Sequence, residues 1–329
     1  MGPQRMTLVI FKVNQLGDNV VFLPVVQALV AAHPDWRIVL LTSPAAARLY
    51  EVCCPKVELQ VFETPKFNGA WRQPWRLMQM VTQLRGVKPD ACLLGDDQGN
   101  VAHLLARLSG AKLLVGPKTP HVRLNFLIPH RVGVNENMSV ASHNWITAKM
   151  HFGLQEEMSM PDLSAFGSDE SRAVVIHAGA SREYQRWPMK SFIELANRLA
   201  ETEVVRWIDQ GGETGLSDVV QRVKTNSLDD LVRMIAGARL FLGNNSGPMH
   251  IAAACGTSGV ILIGPSSPRW DPVWHQERFD LLREPRLTCQ PCDSATKPAN
   301  RCHNAEMPMA CMLRWSVGEV LARIRTRLN

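Results

Sequence analysis

Nothing constrains this chain more than the way short apolar runs alternate with segments of helical period, pause near the middle, and start again. The run Leu8-Val9-Ile10-Phe11 reads as a strand, and residues 19–33 follow with Val21, Val25, Ala28, Leu29 and Ala32 on one helical face and Pro24 near the start. A strand at 38–41, a short helix ending at Tyr50, and strands at 57–62, 91–94 and 113–115 extend the series, with helices over 75–85 and 99–109. Strands that alternate with helices belong to parallel sheets, because a parallel crossover must travel back along the sheet and lays its helix on a face.

Between about 139 and 171 the pattern loosens. One helix ends at Gly153, and 155–171 is polar with Pro161 and Gly167, so this stretch is expected to be a linker. The alternation then restarts with a strand at 174–176, a helix over 188–200, a strand at 204–208 and a helix before Lys224. Ser227, followed by Asp229 and Asp230, has the character of an N-cap with an acidic first turn, opening a helix to Ala236. Strands at 240–242 and 260–263 close the series. The expected fold class is α/β, with two doubly wound, Rossmann-like domains, 1–160 and 161–329, facing across a cleft; 329 residues suit two cores better than one.

Composition narrows the partners. A net charge of +6 points to an anionic partner, yet no basic tract marks a nucleic-acid tail, so nucleic acid is not expected. The most apolar stretch, 20–32, is interrupted by Pro24 and Gln27 and is too short for a membrane span. Arg5 and Lys12 bracket only a short apolar run with no small-residue cleavage site, so the expected location is cytoplasmic. No Gly-x-Gly-x-x-Gly follows either first strand, which argues against a dinucleotide-dependent oxidoreductase.

Ligands of open parallel sheets bind beyond the carboxyl ends of the strands, and three turns there carry suggestive residues. The first is Lys12-Val13-Asn14-Gln15-Leu16-Gly17-Asp18. The second is His177-Ala178-Gly179-Ala180-Ser181, leading to Arg186-Trp187-Pro188. The third is Asn244-Asn245-Ser246-Gly247-Pro248-Met249-His250, which runs into an Ala-rich helix stopped by Gly256. Such a strand-to-helix turn offers unpaired N–H groups and the positive end of a helix dipole to a phosphate. Gly247 permits close approach, and Pro248 suits a first helical position that needs no N–H. His250 is expected to face the same cleft. The plainer alternatives are a structural loop with a capping Asn or Ser for the third turn, and a helix cap for Asp18.

Together these turns, with Leu23-Pro24, Gly264-Pro265 and a Cys-rich end, resemble family 9 glycosyltransferases, the ADP-heptose:lipopolysaccharide heptosyltransferases, over nearly the whole chain. The resemblance implies GT-B architecture, an acceptor-binding N-terminal domain, and a nucleotide-sugar donor domain ending in a Cys-rich tail and a final helix. It implies Asp18 as general base. Gly179, Ala180, Ser181, Arg186, Asn245, Ser246, Gly247, Pro248 and His250 would hold an ADP-sugar, and Lys12, Gly17, Lys66 and Arg72 a lipid-linked anionic oligosaccharide. The chemistry itself needs a base for the incoming hydroxyl and positive charge for the departing diphosphate, and no cofactor. Two positions depart from the family pattern: it usually has Lys near Gln185, and Asp where this chain has Asn245. A GT-B nucleotide-sugar epimerase, or a non-catalytic nucleotide-sugar binder, are the competing readings.

Cys53, Cys54, Cys92 and Cys255 fall in core-like contexts. Cys289-Gln290-Pro291-Cys292 with Cys302 and Cys311 fits a tetrahedral structural zinc, with His303 a possible substitute ligand; four unligated thiols are the alternative. Lys66 to Arg76 sets Trp71 and Trp75 among cations, which suits either core packing at helical spacing or peripheral contact with the inner face of the cytoplasmic membrane.

Overall fold

The computed structural model describes residues 6–296 and 299–329. The chain divides into two units, Met1–Pro161 and Asp162–Asn329. In the first, strands β1 (Thr7–Lys12), β2 (Arg37–Thr42), β3 (Glu58–Val61), β4 (Ala91–Leu94), β5 (Leu113–Lys118) and β6 (His130–Gly133) form one parallel sheet in the order β3-β2-β1-β4-β5-β6. Helices α1 (Leu16–Val20), α2 (Leu23–Ala32), α3 (Pro44–Cys53), α4 (Thr64–Asn68), α5 (Pro74–Val87), α6 (Asn100–Leu108) and α7 (Val140–Phe152) connect or follow them.

In the second unit, β7 (Val174–His177), β8 (Val205–Ile208), β9 (Gln221–Val223), β10 (Leu240–Asn244), β11 (Gly259–Leu262) and β12 (Phe279–Leu282) repeat the same winding, in the order β12-β11-β10-β7-β8-β9. Its helices are α8 (Met189–Leu199), α9 (Leu228–Ala236), α10 (Gly247–Cys255), α11 (Ala310–Leu313) and α12 (Val317–Leu328). Each sheet therefore has one switch point, between β1 and β4 in the first unit and between β7 and β10 in the second. There the connections leave in opposite directions and the turns open a crevice.

Both cores form as the apolar runs require. Val9, Phe11, Val39, Leu41, Cys92 and Leu94 pack under α5 and α6 in the first unit. Val174, Ile176, Trp207, Leu240, Leu242, Val260 and Leu262 pack against Phe192 and Leu195 of α8 and Val320 and Ile324 of α12 in the second. Burial pushes the Cys54 and Cys92 thiols up to about 12, as expected of small core residues. Ser227 caps α9 in a reciprocal box with Asp230.

One expectation about the elements needs correction. No helix precedes Lys224: residues 209–220 are irregular and lead into β9, because Gly211, Gly212 and Gly215 all sit at positive φ, which breaks a helix at each. The helix expected to end at Gly153 is α7, capped by Ser139 and stopped by a left-handed Gly153.

Candidate active site

At the first switch point, the turn after β1 and the turn after β4 are laced together. Lys12 is fully buried, and its Nζ donates to the Asp96 carbonyl at 2.8 Å. Asn14 Nδ2 donates to the Asp97 carbonyl at 3.2 Å, the Val13 N–H donates to Gln98 Oε1 at 3.3 Å, and Gln98 Nε2 donates to Asn14 Oδ1. Asn144 of α7 accepts the Asp96 N–H at 2.7 Å. Gly95 is required here, because a Cβ would meet the Lys12 side chain at 2.7 Å.

Asp18 stands in the first turn of α1 as a half-buried residue; the cap position belongs to Gln15. Burial raises its pKa, the Lys12 ammonium and backbone N–H groups oppose that push, and the Asp96 charge adds to it. A carboxylate set this way accepts a proton more readily than a free one.

Asp96 and Asp97 are the residues that sequence reasoning missed. Asp96 is buried, with Oδ2 3.4 Å from His143 Nδ1. Asp97 is held at φ +61°, with Oδ1 3.6 Å from His121 Nε2. Its carboxylate is raised to about 6 by the protein around it and by Asp18, with Lys12 and His121 opposing. Because 49% of that side chain remains exposed, water screens part of the push. The available signal was Gly95-Asp96-Asp97-Gln98-Gly99 directly after an apolar strand, at a place that only the strand order marks as a switch point.

At the second switch point, Asn244 is the buried pin. Its Oδ1 accepts the Trp187 N–H at 3.0 Å, and its Nδ2 donates to the Ala178 and Gly179 carbonyls at 2.9 and 3.3 Å. Gln210 lies over Gly179 so closely that a Cβ there would collide with its amide, and Gln210 Nε2 is 2.7 Å from His177 Nε2. Burial and the Arg186 charge push His177 down to about 4, which leaves it neutral. Arg186 is exposed, and its Nε and Nη2 donate to the Ala180 carbonyl at 2.9 and 2.6 Å. Ser181 donates to Gln185 Oε1 at 2.9 Å.

The third turn ends on α10. Ser246 is its N-cap but makes no side-chain cap, its hydroxyl donating instead to the Asn244 carbonyl at 3.2 Å; no side chain therefore caps the first turn of α10. The Asn245 N–H bonds Leu262, and its Nδ2 donates to the Trp270 carbonyl at 3.4 Å. His250 is buried, edge-on to the Trp270 ring at 6.2 Å, and burial pushes it down to about 4. It is a neutral packing group rather than a cation for phosphate.

The structure thus gathers Lys12, Gly17 and Asp18 at one switch point, and Gly179, Ala180, Ser181, Arg186, Asn245, Ser246, Gly247, Pro248 and His250 around the other. Lys66 and Arg72 lie elsewhere, beyond the edge strand β3, where Lys66 pairs with Glu63 at 2.7 Å and Arg72 stacks on Trp71 at 5.1 Å. The four tail cysteines feel one another: Cys311 is pushed up to about 11 by burial, then by Cys292, Cys302 and Cys289. Gln290 ties their segment to the end of β11 by donating to the Ile263 and Gly264 carbonyls. Among the described residues, however, no three His, Cys, Asp or Glu side chains are arranged to hold a metal ion.

Two parallel six-stranded sheets of identical winding, each with a ligand-grade turn at its switch point, define the GT-B class of glycosyltransferase folds. The chain belongs to glycosyltransferase family 9 (heptosyltransferase), whose profile matches residues 121–303. It is 30% identical over 113 residues to lipopolysaccharide heptosyltransferase 2 of Escherichia coli K12, covering 30% of this chain and 32% of that protein. Over 174 residues it is 25% identical to lipooligosaccharide heptosyltransferase 2 of Campylobacter jejuni, covering 47% of this chain and 53% of that protein. These alignments thus span between about a third and a half of each relative's length. The E. coli heptosyltransferase WaaC, solved with ADP, superposes with a TM-score of 0.72 at 15% identity, over 98% of this chain and 100% of WaaC, which shows the shared fold.

Proposed function

We propose that this protein is an inverting glycosyltransferase that moves a heptose or related sugar from an ADP-sugar to a lipopolysaccharide core acceptor in the cytoplasm, with Asp18 as general base. The observation that carries the reading is Asp18 itself, a carboxylate raised by burial at the first switch point, with the buried Lys12 ammonium beside it. Asp18 takes the proton of the acceptor hydroxyl as that oxygen bonds to the anomeric carbon, and the bond from that carbon to the diphosphate oxygen breaks. ADP leaves as an anion. The first-turn N–H groups of α10, the 179–181 turn and Arg186 offset its charge. Arg186 must exchange one of its bonds to the Ala180 carbonyl for a phosphate oxygen, and with Gln185 in place of the usual Lys it is the main cation there.

An epimerase on the same fold needs no acceptor base, so Asp18 separates the readings. Asp18→Asn is expected to lower transfer from ADP-heptose by roughly 100- to 10,000-fold while leaving ADP affinity within a few-fold. Full transfer by that variant would show that another group is the base. The four tail cysteines, which are not arranged to hold a metal ion, are given no part in the chemistry; zinc found in protein purified without chelator would show a structural clip.

A further inference from the structure

Residues 64–88, spanning α4 to the end of α5, carry five cations, Lys66, Arg72, Arg76, Arg85 and Lys88, and no Asp or Glu. One face of α5 is committed to the core through Met80, Val81, Leu84 and Val87. Helical geometry then turns Trp75, Met78 and Thr82 outward along a single stripe, three and four residues apart. Trp75 is 70% exposed and Met78 65% exposed, and Trp71, in the turn just before the helix, is 59% exposed. The sequence left open whether these tryptophans pack in the core; they do not. Beside them, Lys66 and Arg76 line a cavity of about 310 Å³ walled by Val61, Phe62, Phe67 and Met80.

We infer that the face formed by Trp71, Trp75 and Met78 with Arg72, Arg76 and Arg85 docks the protein on an anionic lipid bilayer, the indoles entering the headgroup region while the guanidiniums meet lipid phosphates. Three large apolar side chains left in water on one short stretch are costly unless something covers them. The chemistry of the cover follows from the charge. With Lys66 paired to Glu63, the guanidiniums of Arg72, Arg76 and Arg85 remain to disfavour a basic protein surface, and tryptophan and arginine together match the interface, where an amphipathic ring sits at headgroup depth beside anionic phosphate. The inference extends the proposed acceptor reading, because a lipid-linked acceptor lies in such a surface, but its test does not depend on transfer.

Flotation of the full chain with phosphatidylcholine vesicles, with and without one-third phosphatidylglycerol, is the experiment. Binding is expected only to the anionic vesicles, weakening as salt screens the charges. Trp71→Ala with Trp75→Ala should lower partitioning by at least roughly tenfold, and Arg76→Gln by roughly fivefold. Far-UV circular dichroism and the thermal unfolding midpoint should be unchanged in the tryptophan variants, which controls for folding. Equal flotation with neutral vesicles, or anionic binding undiminished in the double tryptophan variant, overturns the inference. So does retention on a soluble anionic polysaccharide without flotation, which would make this a carbohydrate surface. Vesicle binding without any transfer would leave the docking face standing and sink the proposed reaction, and transfer without vesicle binding would do the reverse.

Discussion

Three carboxylates and one buried ammonium meet at the first switch point, and their mutual charges decide what Asp18 can do. Lys12 cannot serve as a mobile contact for the acceptor, because its Nζ is committed to the Asp96 carbonyl in a fully buried setting. Its charge instead keeps an ionised Asp18 affordable inside the protein. Asp96 works the other way, since its negative charge raises Asp18, and Asp18 in turn raises Asp97. A base acts only in its deprotonated form, so transfer should fall as pH drops through the raised Asp18 value. Asp96→Asn removes one negative neighbour, lowers the Asp18 pKa and should therefore move the acid limb of kcat/KM to lower pH. An unmoved limb, with transfer otherwise intact, would mean that Asp18 is not the group whose deprotonation the limb reports.

Among the elements, the turn from β10 into α10 carries Asn245, and packing explains what that residue does there. Asn245 donates its amide to the Trp270 carbonyl, in the short turn Pro268–Trp270. A carboxylate cannot make that bond and would face the carbonyl oxygen, at a cost of about 1 kcal/mol for the lost hydrogen bond, against which the positive end of α10 returns roughly 0.3–1 kcal/mol. Asn245→Asp should thus leave stability within about 1 kcal/mol and ADP affinity within a few-fold, because the N–H groups that meet a phosphate are those of α10 itself. Heptose transfer should rise several-fold if the position orients the sugar. Loss of ADP binding with no gain in transfer, read by titration calorimetry and a transfer assay, would make Asn245 a structural tie to Trp270. The elements flanking this turn were legible because β1, β4, β7 and β10 are buried on both faces and read as unbroken apolar runs. The edge strands were not. β6 and β9 are solvent-exposed along most of their length and carry no such run, and the glycines before β9 hid a loop behind a helix-like composition. Asp96 and Asp97 stayed hidden for a different reason: their importance comes from the order of strands in space, which adjacent residues do not encode.

At the scale of the whole chain, the same winding appears twice with different chemistry at its switch point. The first unit presents carboxylates and the second presents N–H groups and Arg186, so a base and an anion site are assigned to separate cores. Each unit has its own sheet and its own buried cluster. In the proposed reading the second unit's turns hold the anionic diphosphate of ADP, so its binding energy should appear as protection of those turns. At a hundredfold excess over its dissociation constant, ADP should stabilise the state that binds it by about 2.7 kcal/mol. Hydrogen exchange should therefore slow in 177–187 and 243–250, and in the β7 and β10 strands behind them, while 8–18 and 93–98 exchange as before. The first residues to gain protection should be those pinned by Asn244, because the Trp187 N–H and the Ala178 and Gly179 carbonyls already share that side chain and open together. Protection confined to 8–18 and 93–98 would place the nucleotide on the carboxylate side, where Asp18, Asp96 and Asp97 repel a diphosphate, and would reverse the assignment of donor and acceptor units.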